Sequence, residues 1–317
     1  MSSYLVTGGA GFIGSHLAEA LVARGHTVRV VDNLAGGKRS NLAHLSGVEF
    51  LEGDLADMAS AEQAVRGMDY VLHQAAIPSV PRSVNDPVTS NRANVTATVN
   101  ILVAARDARV RRLVYAGSSS AYGNAPTLPK REDMPSNPLS PYALQKVVGE
   151  QYCRLFTQLY GLETVTIRYF NVFGPRQDPG SPYSGVISLF STALLAGRQP
   201  TIYGDGEQTR DFTYVANVVE GVLRACEAPN VAGDVINVAT GGRISLNELL
   251  RVMNRIVGSA LQPIYADTRA GDVKDSQADI SKACALLGYA PTIDLEEGLR
   301  RTLDWFRDEQ AVPARSG

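Results

Sequence analysis

Six short apolar runs punctuate the first half of the chain: "YLVT" (4–7), "TVRVVD" (27–32), "VEFLEGD" (48–54), "YVLHQAA" (70–76), "RLVYAGS" (112–118) and "TVTIRYF" (164–170). Rich in Val, Ile, Leu and Tyr, they read as buried strands. Between them, "GSHLAEALVARG", "SAEQAVRG", "NRANVTATVNILVAARDA" and "YALQKVVGEQYCRLFTQLYG" repeat apolar residues every three or four positions, as helices do. Strand and helix in turn predict a parallel, doubly wound α/β sheet with right-handed crossovers. Past about residue 175 the rhythm breaks at the Pro/Gly/Ser loop "RQDPGSPYSG", and shorter candidates follow: "TIYGDG", "DVINVAT" and "SLNELLRVMNRIVG". The pattern predicts a large α/β unit over 1–175 to which later segments return, a smaller α/β unit over 176–310, and a frayed tail over 311–317. The cleft between the two units is the expected site.

Composition narrows the partners. With 317 residues, 44% apolar and 20% charged, the chain has the balance of a soluble globular protein. A formal net charge of −2 gives no electrostatic reason to expect nucleic acid or an acidic membrane. Cys153, Cys226 and Cys284 are widely separated, odd in number and form no metal-spaced cluster, so they read as reduced core thiols of a cytoplasmic protein. No metal ligand set is expected. The N-terminus has no basic, apolar leader pattern, and no segment reaches the roughly 20 apolar residues of a membrane span.

The first strand runs directly into "TGGAGFIGSHLAEAL", with Gly8, Gly11 and Gly14 between strand and helix; read from Gly9, the stretch also fits G-x-G-x-x-G. Bare backbone lets a pyrophosphate approach, and the helix start at Phe12 and Ile13 supplies amide donors and a positive dipole end. This makes the sheet Rossmann-like, and the expected ligand is a dinucleotide. Asp32 ends the second strand, 24 residues after Gly8. A carboxylate there accepts both ribose hydroxyls and repels a 2′-phosphate, which favours NAD over NADP. Asp54 and Leu55, after the third strand, are placed to meet the adenine edge. Gln74, Ala75 and Ala76 in "HQAA", together with Asn94, are further candidates to line the cofactor.

At the other end of the ligand, the fifth strand leads into Ser118, Ser119 and Ser120, and 24 residues after Ser118 comes Tyr142, followed by Lys146. Tyr142 and Lys146 share one helix face. A free phenol, with a pKa near 10, is too weakly acidic to serve as a base at neutral pH. A nearby ammonium and the positive charge of an oxidised nicotinamide are expected to lower that value. Tyr142 would then take a hydroxyl proton while hydride leaves the same carbon. Lys146 would also hold the nicotinamide ribose, and Ser118 would bond the reacting oxygen, with Ser119 beside it.

Together, T-G-x-x-G-x-x-G, the serine cluster, Y-x-x-x-K and "RYFNVFGP" resemble the extended short-chain dehydrogenase/reductase family, in its branch of NAD-dependent UDP-sugar 4-epimerases. The likeness runs to about residue 308. It implies catalytic places for Tyr142, Lys146 and Ser118, an adenosine site with Asp32, Asn33 and Asp54, and Tyr169 beside the nicotinamide. It also implies UDP-sugar contacts from Ser118, Ser120, Asn171, Val186, Tyr203, Arg210, Arg269 and Asp272. Dehydratases of similar fold carry an Asp-Glu pair where this chain has Ser119 and Ser120, so epimerisation through a transient 4-keto sugar is the expected reaction. Ser276 matches a position where a bulky tyrosine restricts some epimerases to non-acetylated hexoses, which points to UDP-N-acetylglucosamine, UDP-glucose, or both. A UDP-glucuronate 4-epimerase or decarboxylase is the alternative, and a non-catalytic NAD-sensing regulator a distant one. The resemblance further implies a homodimer through a four-helix bundle of residues 88–107 and 142–160.

Overall fold

The computed structural model describes residues 1–180, 185–268 and 274–311. The chain opens with β1 (Ser3–Thr7), α1 (Phe12–Ala23), β2 (Thr27–Asp32), β3 (Val48–Glu52), α2 (Met58–Val65) and β4 (Tyr70–His73). Two short helices, α3 (Val80–Asn85) and α4 (Pro87–Asn91), and one π turn (Arg92–Thr96) lead into α5 (Ala97–Asp107). Then come β5 (Arg112–Ser118), α6 (Pro141–Tyr160), β6 (Glu163–Tyr169) and β7 (Val172–Phe173). The second half holds α7 (Val186–Leu195), β8 (Thr201–Tyr203), β9 (Thr209–Arg210), β10 (Thr213–Tyr214) and α8 (Val215–Glu227). It finishes with β11 (Val235–Val238), β12 (Ile244–Ser245), α9 (Leu246–Val257), β13 (Ile264–Ala266), α10 (Ser281–Leu287) and α11 (Leu295–Ala311).

Seven parallel strands form one sheet in the order β11-β6-β5-β4-β1-β2-β3, the expected Rossmann-like α/β fold. The period of two explains its layers. Leu5, Val31, Val71 and Leu113 face α2, α5 and α6, with Ile101, Leu102 and Phe156 among their partners. Their neighbours Val6, Val30, Leu72 and Val114 face α1 and α8, in a cluster that continues to Leu299 and Leu303 on α11. Both halves of the chain therefore share one apolar layer.

The chain winds from β1 toward β3 on one side and from β4 toward β11 on the other, so the direction reverses between β1 and β4. Ligands of such sheets bind at that crevice, beyond the carboxyl ends of the strands. The loops after Thr7 and His73 flank it, and those two residues are register partners. Further along the same edge, Ser118 pairs with Tyr169.

One expectation needs correction. Cys153 and Cys226 are buried, but Cys284 is exposed on α10, because the apolar side of that short helix is carried by Ala283 and Leu287. The predicted strand ends also shift: β3 stops at Glu52 and β4 at His73, where the backbone turns to the ligand edge.

Candidate active site

The glycines after β1 are required by close approach. Gly8 has φ 62°, and a Cβ on it would lie 2.8 Å from the Ala75 backbone. A Cβ on Gly14 would meet the Gly8 carbonyl and come 2.7 Å from the Gly9 Cα, so α1 packs on the loop only without a side chain there. Gly11 caps α1 without a side-chain acceptor, leaving the first-turn amides of Phe12 and Ile13 to an outside anion.

Across the crevice, the Thr7 hydroxyl oxygen accepts the amides of Gln74 and Ala75, each at 3.1 Å. This draws the loop of Gln74, Ala75 and Ala76 over Gly8. With both lone pairs of Thr7 used, its proton points to His73 Nδ1 at 2.8 Å, which fixes the ring as neutral with hydrogen on Nε2. His73 Nε2 then donates to Thr98 Oγ1 at 3.0 Å, and Thr98 donates to the Asn94 carbonyl at 2.7 Å. Burial pulls His73 down to about 3, with the Lys146 charge acting in the same direction.

Asp32 is buried at the end of β2, its oxygens accepting the amides of Ala10 at 3.0 Å and Leu34 at 2.8 Å. Burial raises its carboxyl, and these two bonds oppose the rise. A carboxylate offers about four acceptor positions, so room for two hydroxyls remains. Asn33 is exposed, Leu55 is buried, and Asp54 is paired with Arg92 at 3.3 Å. Asn94 differs from its expected role. Its Oδ1 accepts the Ile77 amide at 2.7 Å and its Nδ2 donates to Gln145 at 2.8 Å, so its side chain braces the site rather than facing a ligand.

The chemistry of this crevice fits a dinucleotide. The glycine cradle leaves space that a Cβ would fill, and Gln74 supplies an unused group: its Oε1 accepts the Tyr169 phenol at 2.9 Å, while its Nε2 is buried with no partner among the described residues. A buried donor without a partner is costly unless a ligand completes it.

The sequence "SPYALQK" sets the reacting end. Ser140 caps α6 by accepting the Ala143 amide at 3.1 Å, and Pro141 takes the first helical position, where its missing N–H does no harm. Tyr142 thereby falls in the first turn, with its amide on Ser83 Oγ at 3.0 Å. The Tyr142 phenol lies near Ser118, whose hydroxyl acts to lower its pKa. Ser118 Oγ accepts the Ser120 hydroxyl at 2.8 Å and amide at 3.2 Å, through a short turn that begins at Ser119. One helical turn on, the buried Lys146 donates from Nζ to the Ala116 carbonyl at 2.8 Å and lies 5.0 Å over the Tyr115 ring.

The electrostatics differ from the expected depressed phenol. Burial raises Tyr142 above the ordinary tyrosine value, opposed by the Ser118 hydroxyl. Lys146 is itself pulled down to about 8 by burial, against the pull of Glu150. Desolvation is the leading cause at both groups, and the lysine ammonium is bonded to a strand carbonyl.

A cavity of about 220 Å³ gathers four of the expected substrate residues: Asn171, Val186, Tyr203 and Arg210. Asn171 has φ 35° and donates from Nδ2 to the Asp211 carbonyl at 3.0 Å. Asp211 is buried and accepts the Thr240 hydroxyl at 2.6 Å and the amides of Thr240, Gly241 and Ala278 at 3.0–3.2 Å, which pins the segments behind the cavity. Arg210 donates to the carbonyls of Thr209 and Lys274, both at 2.9 Å. Ser276, part-buried, donates its amide to Thr209 at 3.0 Å. Arg269 and Asp272 lie outside the described residues.

Sequence reasoning missed two amides here. Gln177 and Gln208 both line the cavity. Gln208 donates from Nε2 to the Tyr203 carbonyl at 2.6 Å, and its Oε1 is buried with no partner among the described residues. Gln208 stands two positions from Arg210 in "GEQTRDF", but its place in the cavity comes from the tertiary contact with the Tyr203 carbonyl, which spacing does not report.

Comparison with known proteins follows this geometry. Residues 4–239 match the model of the NAD dependent epimerase/dehydratase family. A UDP-glucose 4-epimerase of Mycolicibacterium smegmatis is 41% identical, the match covering 96% of this chain and 98% of that protein. A UDP-N-acetylglucosamine 4-epimerase from Methanobrevibacter ruminantium, solved with UDP-N-acetylmuramic acid, superposes with a TM-score of 0.93 at 40% identity, over 97% of this chain and 99% of the other. A UDP-glucose 4-epimerase from Thermus thermophilus, solved with NAD, superposes with a TM-score of 0.88 at 40% identity, over 96% and 99%.

Proposed function

As the chain belongs to the NAD-dependent epimerase/dehydratase family, its cofactor is NAD, and we propose that it inverts C4 of a UDP-hexose through a transient 4-keto sugar. The observation that carries this reading is the neighbouring Ser118 and Tyr142 at the end of β5, with Lys146 one helical turn on and serines at 119 and 120 in place of carboxylates. Without an acid/base pair there, loss of the C6 hydroxyl has no catalyst, and return of hydride to C4 is what remains.

The glycine loop, the first amides of α1, Asp32 and Gln74 would hold the cofactor. NAD supplies a hydride acceptor that is regenerated in each cycle, and its oxidised ring adds a positive charge. Tyr142 takes the proton of the C4 hydroxyl and returns it. Ser118 bonds the C4 oxygen, its other contacts with Ser120 holding it in place. Lys146, charged below about pH 8, favours the phenolate that burial alone opposes. In the cavity, Tyr203 and the Gln208 amide suit a nucleobase, while Asn171 and Arg210 suit a diphosphate.

The small Ser276 side chain supports UDP-N-acetylglucosamine as a substrate beside UDP-glucose. Val84, Val88, Leu144, Leu155 and Leu159 are exposed large apolar residues on α3, α4 and α6, which supports a homodimer through a four-helix bundle. No described helix is long and apolar enough to cross a membrane, and the reading places the enzyme in the cytoplasm.

Incubation with UDP-glucose, UDP-N-acetylglucosamine and UDP-glucuronate, with products assigned by NMR, tests the proposal. The expected product is a C4-inverted neutral hexose. A pentose with carbon dioxide, inversion of the glucuronate alone, or no conversion of any of the three with NAD supplied, overturns it.

A further inference from the structure

A charged pair lies buried behind the reacting end. Arg168 on β6 donates from Nε and Nη2 to the two Glu150 oxygens, at 3.0 and 2.7 Å, with both side chains almost wholly out of solvent. Such a pair gains little stability over apolar side chains of equal volume, because desolvation offsets the attraction. Its placement suggests another role.

Glu150 follows Lys146 by one turn of α6, on the same face. A Cβ on Gly117 would come 3.0 Å from Glu150 Oε1 and 2.8 Å from Thr166, so glycine is what admits the carboxylate to β5. Gly117 stands between Ala116, which accepts the Lys146 ammonium, and Ser118, which lies near the Tyr142 phenol. In register it lies opposite Arg168. The guanidinium sits 4.6 Å over Tyr122, whereas the ammonium sits over Tyr115, so the two cations lie against different rings.

We propose that Glu150 is a positioning residue for the reaction: clamped by Arg168 and admitted by Gly117, its carboxylate keeps Lys146 charged while Tyr142 takes and returns a proton. Of the other groups facing the amine, Cys153 from α6 acts in the same direction as Glu150 but after it. Burial holds His73 from β4 neutral and raises Tyr115 from β5 and Tyr142 from α6. Among the described residues, Arg168 from β6 carries an opposing charge, and both oxygens of Glu150 are bonded to it. Burial pulls Lys146 down, and Glu150 is the leading group that pulls it back up.

This inference rests on Tyr142 and Lys146 being the reacting end. Its test uses the purified holoenzyme and the double variant Glu150→Gln/Arg168→Met, which removes both charges and keeps the volume. Two readouts are compared with the parent: the titration of the Lys146 amine, followed by NMR of labelled lysine and assigned by its loss in Lys146→Arg, and the alkaline limb of the kcat profile. Both midpoints are expected to fall by about one pH unit, since Arg168 offsets part of the carboxylate's effect. Turnover would then be roughly tenfold lower well above the midpoint and close to parental at low pH. A folded double variant with unmoved midpoints overturns the proposal, as does an activity loss that is equal at all pH values. If the double variant does not fold, Glu150→Asp decides, because it draws the same charge back by one methylene; a smaller downward shift supports the role, and an unchanged or raised midpoint refutes it. An inactive parent would sink the functional reading, while the lysine titration would still judge Glu150.

Discussion

Gly149 is the point at which α6 crosses β5, and adding one methyl there tests how tightly the reacting end is positioned. A Cβ at 149 would meet the Tyr115 hydroxyl and lie 2.5 Å from the ring Cζ, short of the 3.4 Å of ordinary contact by about 0.9 Å. Tyr115 cannot yield, being 1% exposed between His73 and the Lys146 ammonium. The helix must therefore move off the sheet by a similar distance and carry Tyr142 and Lys146 away from Ser118 and Ala116. Overpacking of this kind costs about 1–3 kcal/mol, and a displacement near 1 Å at a reacting group can cost on the order of 100-fold in rate. Gly149→Ala is thus expected to lose stability in urea denaturation and to turn over far more slowly, with NAD still bound. Tyr115→Phe removes the nearest clashing atom, a hydroxyl with no hydrogen-bond partner among the described residues, so the double variant should recover part of both losses. A Gly149→Ala protein with parental stability and turnover would refute the reasoning.

Other outcomes follow from the same geometry. Tyr142→Phe should lower turnover by roughly 10²–10⁴-fold with the dinucleotide still bound at the parental level by absorbance; substantial residual epimerisation counts against the proton-transfer role. His73 stays neutral down to about pH 3 when folded but protonates near 6.5 when unfolded, so the unfolded chain binds the extra proton between these values. Stability should fall by about 2 kcal/mol between pH 7 and 5 from this residue, and denaturation of His73→Gln at both pH values should show a flatter dependence. Leu155→Arg with Leu159→Arg places charge on the exposed face of α6 and should yield a monomer in sedimentation, where the parent is expected to sediment as a dimer.

Much of the first half was legible because strands buried on both faces are continuous apolar runs and the helices between them keep a 3.6-residue period. The Gly8–Gly14 loop, Asp32 and the Tyr142–Lys146 spacing were legible because their local chemistry sets the conformation. The second half resisted: β7, β9, β10 and β12 are two residues each, too short to carry a period. The π turn at Arg92–Thr96 was hidden for a related reason, since one wide turn barely disturbs the apolar pattern of a helix predicted from residue 91. The direction of the Tyr142 shift could not be read at all, because it depends on burial, which spacing does not report. The half-satisfied amides of Gln74 and Gln208, each with one buried atom lacking a partner among the described residues, are products of tertiary contacts in the same way.

The last strand to join the sheet has a consequence for synthesis. β11 lies against β6, and Arg112 reaches forward to the carbonyls of Ala225, Cys226 and Ala228, so the edge near "ETVTIRY" closes only after the ribosome has delivered residue 238. Until then a row of β6 amides and carbonyls stands open on the nascent polypeptide. A product released early, at residue 175 for instance, would keep that open border, a ready template for pairing with copies of itself.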